Sequence, residues 1–325
     1  MKMSRRRLLT TVIGSAAFYA IPRIATAKDY PSRAIKFLVP VSPGAGTDSV
    51  ARVMADYLSR KMKSTWVVEN QGGASGQIAT QATARSPADG YNLMLGYVST
   101  HGTLPAYRKV PYDPINDFTH IAMIGGAPNV LVTNMSGPET FEEFLEQTKK
   151  NPGKYTYASA GVGSITHLVF EGLKLGTGIN VLHVPYRGLG PGFNNMVAGQ
   201  VQFAMPGLAG ALPYVNSGRL RALAVSGSQR APLLPEVRTL KEIGISDFET
   251  VQWLGIMGPK RIPGEITQAL WSAVDQVLGE KEVKDRLANE GIATMPMTQR
   301  SFSGYVSADL AHWTKIVNSQ GLREA

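Results

Sequence analysis

The sequence predicts an α/β protein of two similar lobes joined by a hinge that the chain crosses twice. Three observations carry this reading. Short apolar runs alternate with amphipathic helical segments, the alternation starts afresh near residue 155, and the three C-terminal helices have no strands of their own. A chain of 325 residues, 43% apolar and 18% charged, suits about two domains and excludes disordered, collagen-like and disulfide-scaffold classes.

Ile35 to Pro40 reads as a strand, and Val50, Val53, Met54, Tyr57, Leu58 and Met62 recur at helical spacing over Thr47 to Met62. Trp66 to Glu69 is the next strand, Gly76 to Ala84 a helix and Tyr91 to Tyr97 a third strand, the rhythm of a parallel sheet covered on both faces. Phe118 to Gly125 and Asn129 to Thr133 are two further strands. A helix from Pro138 carries Glu139, Glu142 and Glu143 near its positive end and Lys149 and Lys150 near its negative end, and Asn151-Pro152 stops it. The second series comprises strands at Tyr155–Ser159, Val181–Val184, Val201–Met205 and Leu220–Val225, with helices at Ser164–Leu175 and Pro191–Ala198. After a strand at Glu249–Gly258, the helices Pro263–Leu278, Glu282–Asn289 and Gln299–Val317 need a sheet to pack on. The economical arrangement returns them to the first lobe. Residues 28–127 and 247–325 then form one lobe and 128–246 the other, with crossings near Gly125–Asn129 and Ser246–Gln252 and a ligand cleft between.

The net charge of +9 is concentrated at the start: Lys2, Arg5, Arg6, Arg7 and Arg23 face no acid within Met1 to Ala27, and without them the balance is +4. No Lys/Arg cluster remains, so no nucleic-acid partner is expected. Residues 1–27 read as an export signal with a basic head, an apolar run from Leu8 to Ile21, and Ala25-Thr26-Ala27 as the cleavage site. That run is shorter than the roughly 20 apolar residues of a membrane span. Ser4-Arg5-Arg6-Arg7-Leu8-Leu9 resembles a twin-arginine signal, with a general secretory signal as the alternative. The expected product is a soluble periplasmic monomer. The absence of cysteine excludes thiol catalysis, iron–sulfur clusters and Cys-ligated zinc.

Val41-Ser42-Pro43-Gly44-Ala45-Gly46-Thr47-Asp48 leads from a strand through a Gly-rich loop into a helix, a place where backbone N–H groups and the helix dipole meet an anion. Thr47 or Asp48 can cap that helix. The same arrangement recurs at Ser159-Ala160-Gly161-Val162-Gly163-Ser164-Ile165-Thr166. One such loop per lobe makes a two-jawed clamp for a carboxylate, with Ser42, Ser159, Ser164 and Thr166 adding hydroxyls without charge. Gly44-Ala45-Gly46 followed by Glu69 could also be a degenerate dinucleotide fingerprint, but Ser49 takes its third glycine position. Gly-x-Ser-x-Gly is missing and the five histidines show no metal-ligand spacing, so no catalytic residue, metal or cofactor is expected. His101 and His167 lie near the loops; Trp271 and Trp313 lie on apolar helix faces.

These residues also match a known family. The chain resembles the Bug-type extracytoplasmic solute-binding receptors of tripartite tricarboxylate transporters. The marks are Tyr30-Pro31-Ser32-Arg33, Pro43 to Asp48 with Ala51-Arg52, Glu69-Asn70 with Gly73-Ala74 and Gly76, Asp89-Gly90-Tyr91, Ser159 to Ser164 with His167-Leu168, His183 to Gly188, Ala198 to Val201, and Leu223-Ala224-Val225. The resemblance implies a type II-like periplasmic-binding-protein fold that closes on a small carboxylate and delivers it to membrane permease subunits. It implies ligand contacts at Val41, Ser42, Gly44, Ala45, Gly46 and Thr47, at Ser159, Gly161, Gly163, Ser164 and Thr166, and at Ser99, Thr100 and His101. Asn195 and Gln202 stand where the family usually has aspartates, and Arg238 where it has proline, which is expected to change the polarity of the second lobe's cleft wall. A ligand sensor for a membrane signalling partner and an exported nucleotide-dependent oxidoreductase are the competing functions.

Overall fold

The computed structural model describes residues 30–245 and 250–324; the expected signal, Met1 to Ala27, lies outside the described residues. The first lobe holds β1 (Ile35–Val39), β2 (Trp66–Asn70), β3 (Asn92–Tyr97), β4 (Phe118–Pro128), β10 (Val251–Pro259) and β11 (Ala293–Thr294). They lie in the order β11-β4-β10-β3-β1-β2. Its helices are α1 (Gly46–Met62), α2 (Gln77–Ala84), α3 (Leu104–Tyr107), α8 (Gly264–Gly279), α9 (Lys281–Asn289) and α10 (Gln299–Ser319). The second lobe holds β5 (Val130–Asn134), β6 (Thr156–Ser159), β7 (Leu182–Pro185), β8 (Phe203–Ala204) and β9 (Leu220–Val225) in the order β7-β6-β8-β5-β9, with α4 (Phe141–Lys150), α5 (Ile165–Thr177), α6 (Leu189–Val197) and α7 (Leu208–Asn216).

The two sheets repeat one plan: each series places its second, first and third strands side by side in parallel. Each sheet then receives an antiparallel strand that arrives directly from the other lobe, β10 in the first and β5 in the second. The parallel rhythm expected over Ile35 to Tyr97 is present in β2-β1-β3, and the strand from the hinge makes each whole sheet mixed. Apolar runs do not encode strand direction; the connection does, and a strand entering straight from a hinge has no crossover helix to set it parallel.

Near-continuous apolar strands follow from burial on both faces: Phe37, Leu95, Ile121 and Ile256 in the first lobe and Val130, Tyr157, Phe203 and Ala224 in the second are fully buried. The charged helix starts later than expected, at Phe141. Thr140 Oγ1 accepts from Glu143 N–H at 3.1 Å and the Glu143 carboxylate accepts from Glu139 N–H at 2.8 Å, so the cap lies at Thr140 and Pro138 stays outside.

Where β4 gives way to β5 and β9 leads back toward β10, Asn129, Ser226 and Thr250 are buried together. Asn129 N–H donates to Ser226 Oγ at 2.8 Å, Ser226 N–H to the Asn129 carbonyl at 2.8 Å, and Ser226 Oγ to the Thr250 carbonyl at 3.1 Å. This network ties the chain's two passages between lobes to each other.

Candidate functional site

Loops at the carboxyl ends of β1, β3, β6 and β8 face each other across the cleft and enclose a cavity of about 50 Å³. Its wall contains the first turns of α1 (Ala45, Gly46, Thr47), α5 (Ile165, Thr166), α6 (Gly188, Leu189) and α7 (Gly207, Ala209, Gly210). Each helix start carries a partial positive charge of about half a unit, and N–H groups of first turns, such as those of Gly46, Thr47 and Thr166, have no intrahelical acceptor. Tyr97, Ala127, Phe193, Leu254 and Ile292 supply an apolar middle, and among the described residues no charged side chain lines the space. Four convergent dipoles in a wall without formal charge suit a small anion. A larger cavity of about 440 Å³ beside the hinge, lined by Pro128, Gly227 to Leu233, Ala288, Asn289, Gly291 to Ala293 and Met295, is met by no such set of helix starts among the described residues.

Of the expected contacts, Val41, Ala45, Gly46, Thr47, Ser99 and Thr166 line the cavity. Ser42, Gly44, Ser159, Gly161, Gly163 and Ser164 stand behind it and hold the loops. Gly44 N–H donates to Asp48 Oδ2 at 3.0 Å, and Asp48 also receives Arg52 Nε at 3.1 Å and Asn70 Nδ2 at 2.8 Å. Asp48 therefore fastens the first loop from inside the helix, while the N-cap itself is Ala45, without a side-chain bond. Its carboxyl is held below the ordinary range by Arg52, Gly44 and Asn70 against the opposing effect of burial.

In the second loop Ser164 Oγ donates to the Gly161 carbonyl at 2.6 Å, and Thr166 Oγ1 accepts from Ala160 N–H at 2.8 Å and lies 3.0 Å from Ser164 Oγ. With the serine proton committed, Thr166 donates to Ser164. Both hydroxyls serve the loop, and the N–H groups of Ala160, Gly161, Gly163, Ser164 and Ile165 are bonded as well, so the Thr166 N–H is the one that stands at the cavity wall without a partner among the described residues. Beneath it, His167 Nδ1 accepts from Gly163 N–H at 3.1 Å, and its ring stacks at 4.2 Å on His183, whose Nε2 lies 2.6 Å from Ser159 Oγ. Burial pushes His167 down to about 4 and His183 to about 3, so both are neutral at pH 7.

Thr100 and His101 do not reach the cavity. Ser99 to Thr103 form a single π-helical turn that sends both side chains into the lobe, where Thr100 Oγ1 lies 2.8 Å from His101 Nδ1 and the His101 ring meets Phe118 edge-on at 4.6 Å. Asn195 and Gln202 are off the cavity wall as well. Asn195 Nδ2 donates to Tyr186 Oη at 2.8 Å, and Gln202 Oε1 accepts from Thr156 N–H at 3.0 Å. Arg238 pairs with Glu142.

The starts of α6 and α7 and the side chain of Gln252 were not legible as site residues. The helix α7 has Gly207 at its N-cap and Pro213 inside, so neither a capping residue nor a clean period marks it. The symmetry of the two lobes was the available signal: β8 is to the second lobe what β3, followed by Ser99, is to the first. Gln252 lines the cavity with Oε1 buried and without a partner among the described residues.

The model of the tripartite tricarboxylate transporter family receptor matches residues 50–322. The chain belongs to this family. The receptor is 32% identical to the protein BugT of Bordetella pertussis over 324 residues, 99% of each chain. It is similar to a solved periplasmic transporter, at 34% identity and a TM-score of 0.88 over 90% of this chain and 99% of that one. It is also similar to an R. palustris protein solved with adipate, at 31% identity and a TM-score of 0.87 over 90% and 99%. This is a solute-binding receptor on a periplasmic-binding-protein fold, and receptors of this family serve membrane transporters.

Proposed function

We propose that this receptor captures a small mono- or dicarboxylate in the cavity between the lobes and delivers it to the membrane permease subunits of a tripartite tricarboxylate-type transporter. One observation carries the reading: four helix starts converge on a space that, among the described residues, no charged side chain lines. The relative solved with adipate supports a carboxylate of that kind. Ligand contacts fall on the backbone of Ala45 to Thr47 and on the Thr166 N–H, with Ser99 beside them, and on the starts of α6 and α7. The lobes divide into 28–127 with 247–325 and 128–246, and they hinge about Asn129, Ser226 and Thr250. The chain reaches the periplasm by its N-terminal signal, cleaved after Ala27 and routed by Arg5-Arg6, and acts there as a monomer. A thermal-shift panel of carboxylic acids tests the function. A cognate acid at 100 times its Kd adds about 2.7 kcal/mol, several degrees at this size. A panel in which only sugars, amides or nucleotides shift the midpoint overturns it.

A further inference from the structure

The turn Gly73 to Gly76 does not line the cavity, yet it reaches across the cleft. Ser75 Oγ donates to the Val162 carbonyl of the second loop at 2.6 Å and packs against Gly161, where a Cβ would fall 2.7 Å from that oxygen. Ser75 is buried, and it and Ala74 both adopt left-handed backbone, with φ of 56° and 46°. Two consecutive non-glycine residues in that region are strained and persist only where the surroundings hold them. The same second-lobe loop is met by Ser99 Oγ, which accepts from Ile165 N–H at 3.0 Å, and by the Tyr107 ring, edge-on to His167 at 5.5 Å.

We propose that Ser75 is a positioning residue for solute capture: it latches the second loop to the first lobe from outside the cavity, so that part of the closing free energy belongs to the protein itself. The latch does not touch solute. It raises affinity by populating the binding-competent arrangement, which a solute otherwise has to pay for. This rests on the cavity being the solute site, but its test does not.

The comparison is wild type against Ser75→Ala, which removes only the hydroxyl, and Ser75→Gly, which removes it and also relieves the strained backbone. The chain has no cysteine, so Val67→Cys and Leu182→Cys, both exposed and one in each lobe, give a clean spin-label pair. In solute-free protein the wild type is expected to show a population at the short interlobe distance that both Ser75 variants lose. Adipate or another acid found to bind is expected to bind both variants about tenfold more weakly, the worth of one hydrogen bond. Ser75→Gly is expected to unfold at the same or a higher temperature, which a merely structural serine would not allow. Unchanged solute-free distance distributions in both variants overturn the latch. If no acid binds the wild type, the carboxylate reading fails while the distances still decide the latch.

Discussion

Gly46 sits where the backbones of the two lobes meet. A Cβ at this position would fall 2.5 Å from Gly210 N, 2.8 Å from Ala209 C and 2.9 Å from Gly210 Cα, all backbone of the opposite lobe. Gly46→Val therefore leaves the first lobe's own packing intact and obstructs the approach of α1 to α7. Among the described residues, three hydrogen bonds span the cleft away from the hinge: Ser42 Oγ to the Arg187 carbonyl at 2.6 Å, Ser75 Oγ to the Val162 carbonyl at 2.6 Å and Ile165 N–H to Ser99 Oγ at 3.0 Å. At about 1 kcal/mol each, their loss amounts to about 3 kcal/mol, roughly two orders of magnitude in Kd. Titration calorimetry with a binding acid measures the affinity and small-angle scattering the compaction on saturation. Arg52→Ala serves as the control, since Arg52 bonds Asp48 and Asn70 and lies off the cavity. A folded Gly46→Val protein that binds within threefold of wild type and compacts equally would refute the argument that these helix starts must meet.

Two pH effects follow from buried groups. The neutral ring of His167 accepts from Gly163 N–H, and burial lowers its pKa from an unfolded 6.5 to about 4; the resulting stability is present above 6.5 and is lost as pH falls toward 4. The loss approaches about 3 kcal/mol, so thermal unfolding of wild type should steepen with acid below pH 6.5 while His167→Gln shows a shallower slope; equal slopes would exclude the role. Asp309, which accepts from Trp253 Nε1 at 2.9 Å, is raised by burial to about 7, so its contribution is complete below about pH 4 and fades as pH rises through 7. Asp309→Asn keeps the acceptor and should stabilise the protein at pH 8 by about 2 kcal/mol, after allowance for partial exposure, and not at pH 4. Chemical denaturation at the two pH values checks it, and a variant less stable at pH 8 would count against a buried neutral acid.

The sequence by itself determined the strands other than the two-residue β11 between α9 and α10, the restart of the series and the two Gly-rich loops, because these depend on apolar periodicity and on backbone freedom over a few neighbouring residues. Even some distant pairings left a local trace. Tyr30 to Arg33 and Asp89 to Tyr91 stand out separately in the chain, and they meet through Tyr30 Oη to the Gly90 carbonyl at 2.7 Å and Arg33 to Asp89 at 2.8 Å. Tertiary structure alone decided which hydroxyls are free to face the cavity. Ser164 and Thr166 have the right chemistry for an anion, but each other and the loop carbonyls and amides are nearer, and a short polar side chain bonds whatever its own turn presents first. It also decided that His101 is core, since one π-helical turn redirects a side chain that an α-helical count would aim elsewhere. The starts of α6 and α7 join the cavity wall because two sheets that share a plan over their first strands face each other, a relation between residues more than 100 positions apart that no local window contains. A helix start becomes an anion site only when others point at the same space, and that convergence is a property of the assembled lobes.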